Sequence, residues 1–110
     1  MVYHRNGKLK SYFYNKDGIP DGDYKTYHDD VLLESEAQYK KGIIVGNKKY
    51  YYKYGALKKV ESYWEGKVDG YVRSYFEDGK LNVEEYYING KLETRKVYDQ
   101  SGKLVSTMGY

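Results

Sequence analysis

Residues 51–57 read Tyr51-YKYGA-Leu57, and 24 residues later the chain reads Tyr75-FEDGK-Leu81. The same frame stands at Tyr3-HRNGK-Leu9 and at Tyr98-DQSGK-Leu104, the latter one residue early. Tyr27-HDDVL-Leu33 keeps the tyrosine and leucine but has Val31 in place of glycine. Working outward, an aromatic follows each leucine by six residues at Tyr39, Tyr63, Tyr87 and Tyr110, with Asn15 in the first copy. One glycine series then runs Gly18, Gly42, Gly66 and Gly90, and another Gly22, Gly46 and Gly70, where Thr94 breaks it. The stretch from Gly90 to Tyr98 is one residue shorter than its counterparts, which places a deletion there. The chain is therefore one repeat domain, residues 1–110, in copies of about 3–26, 27–50, 51–74 and 75–97 and a partial copy 98–110. Tandem arrays of this kind usually build a surface rather than a reaction centre.

Each copy holds two strand-like runs rich in aromatic and β-branched residues. One leads into the tyrosine, over 23–28, 47–52 and 71–76. The other leaves from the leucine, over 9–15, 33–39, 57–64 and 81–88. For the turn between tyrosine and leucine, a two-residue type I′ loop would require positive φ at Tyr54 and Ser101, which suit it poorly. A three-residue loop ending in a left-handed glycine asks this only of the glycine. That choice sets Tyr51 opposite Leu57 and Tyr75 opposite Leu81. The second turn reads as a longer loop, Gly18-IPD-Gly22, Gly42-IIV-Gly46 and Gly66-KVD-Gly70, with Asp21 and Asp69 as turn formers. Pro20 then falls outside any strand, and Ile43, Ile44 and Val45 form a hydrophobic tip. The expected fold is all-β: an elongated antiparallel meander of stacked hairpins, coiled by strand twist. Alternation puts Tyr51, Leu57 and Tyr63 on one face, and Tyr24, Tyr50, Tyr52, Phe76, Tyr86 and Trp64 on the other.

Composition agrees with a thin sheet. Seventeen tyrosines stand against two phenylalanines and one tryptophan, and tyrosine suits half-buried positions with a wet hydroxyl. Mean hydropathy is −0.94. Net charge is +3 with signs interspersed, so a nucleic-acid partner is not expected. The most basic run, Lys48, Lys49, Lys53, Lys58 and Lys59, reads as a solvated face. Cysteine is absent, which removes thiol chemistry. No apolar run reaches the roughly 20 residues of a membrane span, and no secretory signal is present, so the expected location is cytoplasmic.

No residue pattern calls for catalysis, a metal or a cofactor. His4 and His28 occupy equivalent places but belong to copies about 10 Å apart, too far for one metal. Glu61 and Glu85 share a face with Lys59, a ready salt partner. The phase-matched tyrosines read as cross-strand partners of the leucines. The aromatic residues outside the phase are the candidate partner-binding residues: Tyr50, Tyr52, Tyr54, Trp64, Tyr71 and Tyr86, together with Ile43 and Ile44. Terminal strands of an open meander also offer edges for self-association.

The unit Tyr-x-x-x-Gly-x-Leu followed by Tyr-x-x-Gly-x-x-x-Gly resembles the MORN-repeat family, in particular its bacterial variant, from Tyr3 to Tyr110. The resemblance implies stacked β-hairpins and an interaction module, and transfers no catalytic residue. Some bacterial members look like immunity or antitoxin proteins that neutralise a partner toxin. Eukaryotic relatives are linked to membrane attachment and scaffolding. The expected function is therefore non-catalytic protein binding, in its sharpest form of the immunity or antitoxin type. The alternatives are a membrane-surface or lipid-headgroup module and a structural array cut from a larger protein.

Overall fold

A computed structural model describes the backbone of residues 2–3, 9–28 and 32–109 and the side chains of residues 17–28 and 32–109. Among the described residues ten strands form one antiparallel sheet in chain order. They are β1 (Val2–Tyr3), β2 (Leu9–Lys16), β3 (Ile19–Tyr27), β4 (Leu33–Lys40), β5 (Ile43–Tyr51), β6 (Leu57–Trp64), β7 (Lys67–Tyr75), β8 (Leu81–Ile88), β9 (Lys91–Tyr98) and β10 (Leu104–Gly109). This is the all-β meander of stacked hairpins that the repeat predicts. No helix among the described residues is long and apolar enough to cross a membrane. The molecule measures 44 × 31 × 16 Å. Its radius of gyration, 15.9 Å, exceeds the roughly 13 Å of a compact domain of this length. The longest dimension is close to nine interstrand steps of about 4.8 Å, so the stack is one layer, drawn out along its axis.

The turn between tyrosine and leucine closes as the three-residue loop. The Gly55 N–H donates to the Tyr52 carbonyl (2.9 Å) and the Tyr52 N–H to the Ala56 carbonyl (2.8 Å). The same two bonds recur among Phe76, Gly79 and Lys80 and among Asp99, Gly102 and Lys103. Gly55, Gly79 and Gly102 have φ of 88°, 90° and 89°, so the glycine alone is left-handed. The expected register follows: Tyr27 pairs with Leu33, Tyr51 with Leu57, Tyr75 with Leu81 and Tyr98 with Leu104. His4, Gly7, Val31 and Tyr110 lie outside the described residues, as does the side chain of Asn15.

The second turn is shorter than the sequence suggests. Asp17-Gly18, Lys41-Gly42, Glu65-Gly66 and Asn89-Gly90 are two-residue loops with both φ values positive, 50–53° and then 79–83°. That is the type I′ geometry, whose twist matches the flanking strands. The following strands therefore begin four residues earlier than expected. Pro20 lies inside β3, paired with Asn15, and Ile43, Ile44 and Val45 lie along β5 rather than at a tip. Nor do Asp21 and Asp69 form their own turns. Their carboxylates accept from the N–H of Lys41 (3.3 Å) and Asn89 (3.2 Å), the first loop residues of the next hairpin. The carbonyls of Pro20 and Val68 likewise accept from the Gly42 and Gly90 N–H groups, both at 2.7 Å. These two tips are thus tied to the copy before them.

The second glycine marks a bulge. Pairing steps from Gln38 with Val45 to Glu36 with Lys49, so Ala37 alone faces Gly46, Asn47 and Lys48. Gly22, Gly46 and Gly70 supply the left-handed residue there, at φ of 108°, 71° and 98°. Between β8 and β9 the step is from Tyr87 with Leu92 to Tyr86 with Thr94, leaving only Glu93 extra. The deletion and the loss of glycine at Thr94 are therefore one change: the shorter bulge needs no left-handed residue, and a β-branched one fits.

Register sorts the side chains onto two faces. The front carries a row of Lys25, Glu36, Lys49, Val60, Arg73, Glu84 and Lys96. The back carries Tyr24, Tyr39, Tyr50, Tyr63 and Tyr87 around Lys48, Glu61, Val72 and Glu85. The buried residues Ser35, Ala37 and Val72 lie in the back rows. Two expectations fail here. Tyr51 alternates away from Tyr50 to the front, where its hydroxyl donates to Glu36 (3.3 Å). Tyr24 and Tyr50 belong to the back with Tyr39 and Tyr63. The irregularity that sets Tyr51 against Leu57 decouples the tyrosine's face from simple counting along the chain.

Candidate functional site

On the back, Glu61 gathers its neighbours. One carboxylate oxygen accepts from the hydroxyls of Tyr50 (2.9 Å) and Tyr63 (3.0 Å). The other lies 3.4 Å from the Lys59 ammonium, the salt partner expected from sequence. Burial first, then the Glu61 charge and hydrogen bond, raise the pKa of both phenols, that of Tyr63 to about 12. Tyr87 is raised likewise by burial and Glu85, and Glu85 faces Arg95 at 3.8 Å. Glu61 and Glu85 stand in one row with buried Val72 between them. Each carboxylate is thus occupied by phenols and a cation. The Tyr50–Glu61 and Arg95–Glu85 links cross between strands, whereas Lys59, Glu61 and Tyr63 share β6 and Glu85 and Tyr87 share β8, so the carboxylates are taken up by internal contacts.

The eight candidate residues do not form one site. Tyr50 belongs to the Glu61 cluster, and Ile44 pairs with Tyr39 on the back. Tyr52 spans two copies: its hydroxyl donates to the Tyr75 carbonyl (2.7 Å), with the Lys58 ammonium 5.6 Å from its ring. His28 does the same one copy earlier, its Nε2 lying 3.1 Å from the Tyr51 carbonyl and its Nδ1 3.5 Å from Glu34. Tyr54 is 87 % exposed at a turn. The front holds Ile43, Trp64, Tyr71 and Tyr86. Tyr71 and Tyr86 pair across strands with ring centres 5.0 Å apart. The Arg73 guanidinium lies 4.4 Å from the Tyr71 ring and 2.8 Å from Glu84.

The front is where the repeat is broken. Trp64 is 65 % exposed, with Ile43 and Val45 on the same face at 49 % and 37 %. In the flanking copies Trp64 is replaced by Lys40 and Ile88, and Val45 by the turn-capping Asp21 and Asp69. The second copy thus has Val45 where its neighbours have a carboxylate tie, and the third adds Trp64 on the same face. Val45 belongs to the apolar run read from sequence as a hydrophobic tip, although only Ile43 and Ile44 of that run stand among the candidate partner-binding residues. Beside it lies a groove of about 450 Å³ lined by Asp23, Lys25, Glu36, Gln38, Asn47 and Lys49, with Ala37, Val45 and Gly46. The basic run does not form one patch: Lys48 and Lys59 lie on the back and Lys49 on the front.

No protein-family model matches the chain, and no curated protein matches it significantly.

Proposed function

We propose that the chain is a non-catalytic protein-interaction module that binds through its front face, in its sharpest form a cytoplasmic immunity- or antitoxin-like protein of bacteria that occludes a partner toxin. The observation that carries this reading is the exposed Trp64 beside Ile43 and Val45, at the one place where a regular scaffold gives up a turn tie for apolar surface. Exposed aromatic anchors on a rigid frame are the usual energetic centres of protein interfaces, and repeat scaffolds put recognition at copy-specific positions. The MORN-like spacing supports the immunity form.

The test is recovery of a partner from the native host, followed by titration with Trp64→Ala and Tyr71→Ala. Both variants should weaken binding, by roughly tenfold or more for Trp64, while Tyr50→Phe on the back leaves it unchanged. A partner bound equally well by Trp64→Ala overturns the proposed face. Recovery of no protein, together with salt-sensitive flotation on anionic vesicles, favours the membrane-surface alternative instead.

A further inference from the structure

Opposite charges face each other across most of the sheet's interior, and the pattern stops at the last strand. Glu36 faces Lys25 and Lys49, Lys48 faces Glu61, and Glu84 faces Arg73 and Lys96. Glu85 faces Arg95 in the same way. On the far side of β9 those two cations, Lys96 and Arg95, face Thr107 and Met108. Thr107 and Met108 stand where β8 carries Glu84 and Glu85, counted from the leucine that begins each strand.

β10 as a whole has no charged side chain, whereas every strand from β2 to β9 has at least two. It is also an outer strand, bonded among the described residues to β9 alone. Outer strands ordinarily carry the charges, because lysine or glutamate on an open edge keeps other strands from adding to it. Here the arrangement is inverted. Carboxylates at 107 and 108 would blunt the edge and repeat the pairing with Lys96 and Arg95 that β8 makes. Their absence suits an edge that is covered, where a carboxylate would need a partner of its own in the covering strand.

We infer that β10 pairs antiparallel with β10 of a second copy of the chain, about a two-fold axis near Ser106 and Thr107. The charges select this occupant. A strand of the β2–β9 kind would set charged side chains beside Ser106, Thr107 and Met108, which offer no opposite charge. β10 brings none. Laid antiparallel against itself it is also self-complementary, as a two-fold contact requires. The hydroxyl side chains meet at the centre, and the Leu104–Val105 end of each strand lies along the Met108 end of the other. The contact leaves the front patch around Trp64 on β6 uncovered, so this inference goes beyond the protein-binding reading and does not rest on it. One pair of six-residue strands is a small contact, so association is expected at about 10 μM to 1 mM chain rather than at nanomolar levels.

Sedimentation velocity across that range should show monomer giving way to dimer and to nothing larger. Thr107→Glu/Met108→Glu sets carboxylates opposite Lys96 and Arg95, as β8 does, so the fold should be retained while the edge becomes charged. This variant should remain monomeric throughout, with a urea midpoint no lower than wild type. Ser106→Cys, in a chain without other thiols, should oxidise in air to a disulfide-linked dimer faster than Tyr54→Cys at its exposed turn. A wild-type chain that stays monomeric at the top of the range overturns the inference. So does association that the double variant retains, or growth past a dimer, which a closed two-fold contact forbids. A monomeric wild type whose recovered partner protein is lost by the double variant would assign the edge to a strand of that protein instead.

Discussion

At the residue scale the tyrosines do unequal work. Tyr50, Tyr51, Tyr63 and Tyr87 each share a half-buried site with a carboxylate, and burial heads the causes that raise their pKa. A group with a raised folded pKa keeps its full stabilising effect below the unfolded value, here about 10 for tyrosine. It loses that effect as pH climbs toward the folded value, because the unfolded chain releases the proton first. Stability should therefore hold up to about pH 10 and fall steadily above it, as several phenols contribute to the slope. Phenolate absorbance should show a late-titrating class, Tyr63 among it at about 12, that merges with the rest in strong urea. A single class near the ordinary value in the folded protein would mean that the Glu61 cluster does not form. Glycines separate equally well by environment. Gly79 and Gly42 are both left-handed, but a Cβ at Gly79 meets nothing, whereas one at Gly42 stands 3.0 Å from the Ile19 Cγ2. Gly79→Ala should cost about 1 kcal/mol for backbone strain alone, and Gly42→Ala about 2 kcal/mol, by urea denaturation.

At the element scale, the hairpins show how far the sequence could be read. The Tyr51–Leu57 loop was legible because Tyr54 and Ser101 exclude the competing turn, leaving one geometry. The other turn was not. Its glycines come in pairs four apart, and a pair looks like the two ends of one loop. Only Asp17-Gly18 and Asn89-Gly90 are good type I′ sequences; Lys41-Gly42 and Glu65-Gly66 are not. Across the gap, Gly22, Gly46 and Gly70 serve a bulge, and nothing local distinguishes a bulge glycine from a turn glycine. The misplaced strand starts hid the ties from Asp21 and Asp69 to the next tip, and with them the meaning of Val45. Val45→Asp should show it. It gives the Glu65-Gly66 tip the cap its neighbours have, so the denaturation midpoint should stay within about 0.5 kcal/mol of wild type. Partner binding should nevertheless drop, because the apolar patch now carries a charge. Loss of folding, or full retention of binding, would each contradict the role assigned to this position.

At the scale of the whole molecule, a single layer has little interior. Ala37 and Val72 are the buried apolar residues among those described, so cohesion comes from ladder hydrogen bonds, cross-strand pairs and the ties between copies. Each strand bonds only its chain neighbours, which makes stability a sum of local interfaces rather than the property of one core. The sum is uneven. β4 to β8 are bonded on both sides and carry the Glu61 cluster and the buried residues. β10 pairs only with β9 and is exposed along its length. Amide hydrogen exchange should therefore be slowest in β4 to β7 and fastest in β10, with a graded rather than all-or-none profile. The same measurement tests edge pairing between chains. Leu104, Val105 and Met108 leave apolar surface on that strand, at 46 %, 56 % and 43 % exposure, and an unpaired edge is a template for another strand. If chains associate there, protection of β10 should rise with protein concentration while the centre is unchanged. Protection in β10 that is low and independent of concentration would rule the edge out as a contact between chains.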